Sequence, residues 1–142
     1  MEQQGSTDKA TQERQAINTV LVVDDDDNWC YLSKRILQKA GIGKEVITAH
    51  NGLEAITRLR TLAAAGKKLP DLVFLDIKML VMDGFEFLDE IVKSTELDLS
   101  KTRIFMCSSS FHHKDRERAN QYPVAGFITK PLTQEVLNNI LN

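Results

Sequence analysis

Asp71-Leu72-Val73-Phe74-Leu75-Asp76 is a short apolar run framed by acids, and the chain continues Ile77-Lys78-Met79-Leu80-Val81-Met82-Asp83-Gly84. Four consecutive hydrophobic residues without period-two alternation are what a strand needs when helices cover both faces of its sheet. Asp76 is then a carboxylate at a strand end. In open parallel α/β sheets the carboxyl ends of the strands form the edge where ligands and chemistry sit, so an ionisable group there has a functional default. For one acid alone, capping of the next turn is an equal alternative.

Three other apolar runs end in polar residues in the same way. Val20-Leu21-Val22-Val23 runs into Asp24-Asp25, Ile104-Phe105-Met106-Cys107 into Ser108, and Gly126-Phe127-Ile128-Thr129 into Lys130-Pro131. If these strands are parallel neighbours, three acids, a hydroxyl and an amine share one edge.

The segments between them read as helices. Asp27 or Asn28 can cap a helix whose apolar positions Trp29, Leu32, Ile36 and Leu37 follow a 3.6-residue period, ending at Gly41. Val46 to Ala49 is a further strand, and Asn51-Gly52 leads into a helix through Leu53, Ile56, Leu59 and Leu62. A helix from Asp83-Gly84 is expected to bury Phe85, Leu88, Ile91 and Val92. Phe111 to Gln121 forms a charged helix, and Thr133 caps a last one carrying Val136, Leu137, Ile140 and Leu141. His112 and His113 point to different sides of their helix, which favours surface residues over a ligand pair. Trp29 is read as a packing residue.

Five β/α units in strict alternation predict an α/β fold, a doubly wound (βα)5 parallel sheet with helices on both faces. The strand order 2-1-3-4-5 fits five strands and sets the first beside the third, so Asp24 and Asp25 face Asp76. With 142 residues, 42% hydrophobic and 27% charged, the chain is long enough for one domain with a buried core. Residues 1–18 are polar and predict a mobile tail ahead of a domain over 19–142. A net charge of −2 gives no general attraction to nucleic acid or anionic membranes. No apolar stretch has membrane-spanning length and the N-terminus has no hydrophobic signal core. Cys30 and Cys107 lack metal-ligand spacing and read as buried free thiols, which points to a cytoplasmic location.

Like charges about 5 Å apart repel by roughly 3 kcal/mol per pair at an effective dielectric near 20. Three converging carboxylates therefore trap a proton or bind a cation. All-oxygen coordination suits Mg²⁺ better than zinc, which favours His or Cys. With Lys130 and the Ser108 hydroxyl nearby, these are parts for handling a phosphoryl group, and a carboxylate can be the nucleophile.

Asp24-Asp25 after a Val-rich strand, Asp76 followed by Met82-Asp83-Gly84, Ser108, and Lys130-Pro131 together resemble the receiver domain of two-component response regulators, the CheY-like form of the flavodoxin-like fold. The resemblance runs from about Thr19 to the end and rests on five separated elements in order. It implies that Asp76 is the phospho-acceptor, served by a sensor histidine kinase or a histidine phosphotransfer protein. It implies that Asp25 and Asp76 bind Mg²⁺ directly, Asp24 through water, and that the Lys78 backbone carbonyl completes the protein ligands. Ser108 is implied as the switch hydroxyl, Lys130 as the ion-pair partner of the phosphoryl group, and Phe127 as the aromatic that changes burial with Ser108. The Lys130-Pro131 bond is implied to be cis.

Two departures stand out. Leu80 occupies a usual proline position, so the loop after Asp76 is expected to be less rigid, and Ser109, where many members carry Ala or Gly, bears on access to the site. The chain ends at Asn142 directly after the fifth helix, which leads to the expectation of a stand-alone receiver, not an enzyme acting on other substrates. Its output is then protein binding or a phosphorelay; the downstream protein is unknown, and a homodimer through the fourth and fifth helices is compatible. Haloacid-dehalogenase-like phosphatases also pair an aspartyl nucleophile with Mg²⁺, but place a second acid two residues on, where this chain has Lys78. A flavodoxin-like cofactor binder is opposed by acids in place of a Gly-rich loop after the first strand.

Overall fold

The computed structural model describes residues 17–141. Nearly all of the expected tail, residues 1–16, thus lies outside the described residues. Ile17 is buried and the Asn18 backbone N–H donates to Asp71 Oδ2 at 2.7 Å, so these two residues are tied to the domain.

Five strands, β1 (Thr19–Val23), β2 (Glu45–Ala49), β3 (Leu72–Asp76), β4 (Arg103–Ser108) and β5 (Gly126–Thr129), form one sheet in the order β2-β1-β3-β4-β5. Every pairing is parallel. Five helices alternate with them: α1 (Asp27–Lys39), α2 (Gly52–Ala64), α3 (Gly84–Lys93), α4 (His113–Ala119) and α5 (Gln134–Leu141). This is the expected (βα)5 order.

The unbroken apolar runs are explained by a core on each side. Leu21, Val23, Val73, Leu75, Ile104 and Met106 pack with Ile56 and Leu59 of α2 and Phe85, Leu88 and Ile91 of α3. Val20, Val22, Leu72, Phe74, Phe105 and Ile128 face the other way, against Cys30 and Leu37 of α1 and Leu137 and Leu141 of α5. Successive strand residues alternate between the two cores, and neither face meets water.

Helix signals fixed most ends. Thr133 Oγ1 accepts from Val136 N–H, as expected, and Asn51, read as a turn residue, caps its helix by accepting from Glu54 N–H. The cap of α1 is Asp26, not Asp27 or Asn28; its extended backbone lets its carboxylate accept from Asn28 and Trp29 N–H. α3 opens with a reciprocal box, in which Asp83 Oδ1 accepts from Glu86 N–H at 2.9 Å and Glu86 Oε1 accepts from Asp83 N–H at 3.2 Å. Asp83→Ala is expected to cost about 1 kcal/mol, read as a lower denaturant midpoint at unchanged m-value.

Three apolar positions assigned to the core are exposed: Leu32 at 53%, Leu53 at 48% and Val92 at 60%. Ser33 on α1 and Phe87 on α3 are buried instead. On α1 the small polar Ser33 faces inward while Leu32 does not, and on α3 Phe87 is buried while Val92 is not.

Candidate phosphoryl-transfer site

β1 and β3 are neighbours, with Val23 opposite Leu75, so the residues that follow, Asp24 and Asp76, stand side by side at the carboxyl edge. Carboxylate oxygens of Asp24, Asp25 and Asp76 all lie within 4.8 Å of one another. Asp24 is buried, Asp76 half-buried and Asp25 exposed. The cluster is therefore open to solvent on one side and rooted in the sheet on the other. Asp26 contributes from below, its N–H donating to Asp24 Oδ1 at 2.9 Å.

Lys130 completes the cluster from the end of β5. Its N–H donates to the Ser108 carbonyl at 2.8 Å, which fixes the backbone, and the Lys130-Pro131 bond is cis. Its ammonium donates to Asp24 Oδ2 at 2.5 Å and lies 3.6 Å from Asp76 Oδ1. The same Nζ sits over the Trp29 ring, 4.6 Å from the centroid.

The electrostatics follow from burial. Asp76 is pushed up to about 6, first by burial and then by the Asp24 charge, with Lys130 partly offsetting both. Burial also raises Asp24, against the Lys130 hydrogen bond and the Asp26 N–H. Burial alone would lower Lys130, but the hydrogen bond and charge of Asp24 and the charge of Asp76 outweigh it and raise the ammonium. Three carboxylates for one ammonium leave the site negative, with oxygen donors only. That donor set fits Mg²⁺: a hard cation taking oxygen from carboxylates and retaining waters on the exposed side. Asp24, Asp25 and Asp76 are the residues that can hold it. Lys78 follows in the same loop with an exposed side chain.

The loop after β3 is held close by two glycines. Gly84 N–H donates to the Ile77 carbonyl at 2.9 Å, and Gly52 N–H to the Met82 carbonyl at 2.9 Å. A Cβ on Gly84 would lie 2.4 Å from the Asp76 carbonyl oxygen. Between these anchors Val81 has φ 71°, with Met82 N–H donating to the Leu80 carbonyl at 2.8 Å, a tight three-residue turn that a β-branched residue adopts with strain. Leu80 and Val81 are 78% and 73% exposed as a result. This is the loop in which Leu80 departs from the usual proline.

Ser108 ends β4, beside Thr129 in register. Its hydroxyl donates to the Ser110 carbonyl at 2.8 Å and accepts from Ser110 N–H at 3.2 Å, so it is engaged within its own loop. Ser109 is exposed. Phe127 is half-buried, edge-on to Phe111 at 5.4 Å between centroids, with the Arg116 guanidinium 5.0 Å from its ring and 5.1 Å from that of Phe111. The structure thus brings Asp24, Asp25, Asp76 and Lys130 into one constellation and sets Ser108 and Phe127 on the adjoining strands. Cys30 and Cys107 are both free and buried.

Three interactions, two at the site and one beyond it, were invisible in sequence. Asp26 lies within a run of four acids, where residue type cannot say which one caps. Trp29 carries no signal of its lysine, 101 positions away in the chain. Tyr122 donates to Asp89 Oδ1 across from the α4–β5 connection to α3, at 2.5 Å, which raises the phenol.

A doubly wound receiver-type sheet with an acidic triad and a lysine at its carboxyl edge is the class that this architecture defines. The family model for the response regulator receiver domain matches residues 20–142, and the chain belongs to that family. It is 34% identical over 127 residues to the chemotaxis protein CheY of Bacillus subtilis, covering 87% of this chain and 97% of that one. It is 30% identical over 122 residues to the sensor histidine kinase CheAY of Helicobacter pylori, covering 86% of this chain but only 14% of the kinase's length. The crystal structure of a two-component response regulator from Cytophaga hutchinsonii superposes with a TM-score of 0.80 at 31% identity, covering 87% of this chain and 93% of that one. Among the described residues, no helix is long and apolar enough to cross a membrane.

Proposed function

We propose that the protein is a phosphorylation-dependent signalling switch that accepts a phosphoryl group on Asp76 from the phosphohistidine of a sensor kinase or a histidine phosphotransfer protein. The observation that carries this is the placement of Asp76 within 4.8 Å of two further carboxylates and 3.6 Å from the Lys130 ammonium. At pH 7 a carboxyl titrating at about 6 is roughly nine-tenths ionised and available as a nucleophile. An Asp76 oxygen attacks phosphorus and the P–N bond breaks with its electron pair going to the ring nitrogen, so that the imidazole, protonated on its other nitrogen, leaves as a neutral group. Lys130, already beside Asp76, meets the charge that develops on the phosphoryl oxygens. When bound at the triad, Mg²⁺ neutralises charge on those same oxygens.

The output follows from what the new group attracts. A phosphoryl group on Asp76 offers Ser108 and Lys130 a stronger partner than Ser110 and Asp24 do. Ser108 leaves its loop, and Phe127 repacks with Phe111 and Arg116, which reshapes the α4–β5–α5 surface for a partner that prefers that form. Signalling is by protein contact or onward phosphoryl transfer, in the cytoplasm, with no substrate turned over beyond the protein's own phosphorylation and dephosphorylation.

Incubation with acetyl phosphate and Mg²⁺, followed by intact mass measurement, tests this. One phosphoryl adduct that needs Mg²⁺ and is lost in Asp76→Asn is expected. An unmodified wild-type protein under these conditions, together with no binding of beryllofluoride, would sink the proposal.

A further inference from the structure

Lysine is an awkward choice for a precise electrostatic task. Its ammonium ends a four-carbon stem with many rotamers, so a charge that must meet one phosphoryl oxygen has to be confined. Asp24 and Asp76 confine Lys130 Nζ on two sides. Two carboxylates alone leave a line of positions along which the ammonium can slide, including towards solvent. The third wall is Trp29.

Trp29 sits in the first turn of α1, three residues after the cap, and its side chain is half-buried. The indole face lies 4.6 Å from Nζ, within the range where the ring's negative face attracts a cation. Trp is the best aromatic partner for such a contact, and the attraction grows as the cation is desolvated. Lys130 meets that condition, with only 16% of its side chain exposed. The turn is also tied down, since Trp29 N–H donates to Asp26 Oδ1 and the Asp26 backbone N–H donates to Asp24 Oδ1. Indole, carboxylate and ammonium are thus parts of one connected corner.

We propose that Trp29 is a positioning residue for Lys130: its indole face closes a cage with Asp24 and Asp76 that holds the ammonium where a phosphoryl group on Asp76 will be. This rests on Asp76 being the phospho-acceptor. In this role the indole acts only through the lysine. Because the chain has a single tryptophan, its emission reports on the surroundings of Trp29, of which that ammonium is one part.

The rate of phosphorylation by acetyl phosphate with Mg²⁺, followed by intact mass, is to be measured for wild type, Trp29→Phe, Trp29→Leu, Lys130→Met and the Trp29→Leu/Lys130→Met double variant, each with its unfolding midpoint. Trp29→Leu is expected to slow the reaction about five- to tenfold, as loss of a contact of this class implies. Trp29→Phe, which keeps an aromatic face, should stay within about threefold of wild type. In the Lys130→Met background the leucine substitution should have no further effect. Equal slowing by Phe and Leu at matched midpoints, or a full Trp29→Leu effect without the lysine, would show plain packing and overturn the proposal. Wild type that accepts no phosphoryl group would defeat the acceptor reading instead. The cage is then read separately from the unmodified protein, where Lys130→Met must change Trp29 emission; an unchanged spectrum overturns it.

Discussion

Gly84→Ala is expected to lower the unfolding midpoint by about 6 °C and to slow phosphorylation of Asp76 well beyond what the lost stability explains. A Cβ at this position would stand 2.4 Å from the Asp76 carbonyl oxygen, 3.1 Å from Ile77 Cα and 3.3 Å from the Asp76 carbonyl carbon. All three are backbone atoms, so no side chain can swing aside. Helix propensity favours alanine over glycine by about 1 kcal/mol at interior positions, but overpacking against backbone costs about 1–3 kcal/mol and the contact here is severe. For a chain of this length each kcal/mol moves the midpoint by about 3 °C. The displaced peptide is that of Asp76 itself, so strain relief moves the Asp76 carboxylate relative to Asp24 and Lys130. Calorimetry and phosphorylation rates at a temperature where the variant is fully folded separate the two effects. An unchanged midpoint would show that α3 can shift away from β3 freely.

The second large effect is electrostatic. In buffer without divalent cations, Asp76→Asn is expected to stabilise the protein at pH 7 by about 3 kcal/mol. Asp76 titrates at about 6 in the fold against an ordinary value of 3.8, so the folded state holds this proton more tightly than the unfolded chain. The sign follows. Below pH 3.8 the group favours folding, and that contribution is lost as pH rises from 3.8 through 6. Wild type should therefore gain stability as pH falls from 7 towards 5, and the asparagine variant should gain much less. A residual slope belongs to Asp24, which is also raised. Lys130 is raised as well, but its contribution is lost only at alkaline pH, outside this window. Mg²⁺ should stabilise wild type at pH 7 and do little for the variant. Chemical denaturation at pH 5 and 7, with and without Mg²⁺, checks all of this; a variant less stable than wild type at pH 7 would mean that Lys130 depends on Asp76 more than the carboxylates repel one another.

Much of this was legible in the chain because the relevant signals are local and repeated. Each strand is a contiguous run, each run ends in a polar residue, and parallel order puts those ends on one edge. Asp24, Asp25, Asp76, Ser108 and Lys130 were therefore named by position alone. What escaped the sequence is of two kinds. Leu32, Leu53 and Val92 continue an apolar period yet face solvent, because periodicity marks a stripe wider than the sheet uses. Trp29 over Lys130, and Tyr122 on Asp89, join elements far apart in the chain, and no residue pattern announces such a pair. The strained Val81 turn is also hidden, since a β-branched residue is the last choice for positive φ.

The two thiols supply a clock. Cys30 and Cys107 are held up to about 12, chiefly by burial, so at pH 8 only about one in ten thousand would be thiolate, the form that attacks an electrophile. Cys107 lies on β4 beside Asp76, and Cys30 Sγ donates to the Asp24 carbonyl. An alkylating reagent can reach them only when α1 or the end of β4 opens locally, so at fixed pH and reagent concentration its labelling rate reports on those openings. Anything that grips the carboxyl edge lengthens the waiting time. The fold thereby carries its own stopwatch for occupancy of the site, wound by two residues that take no part in the chemistry.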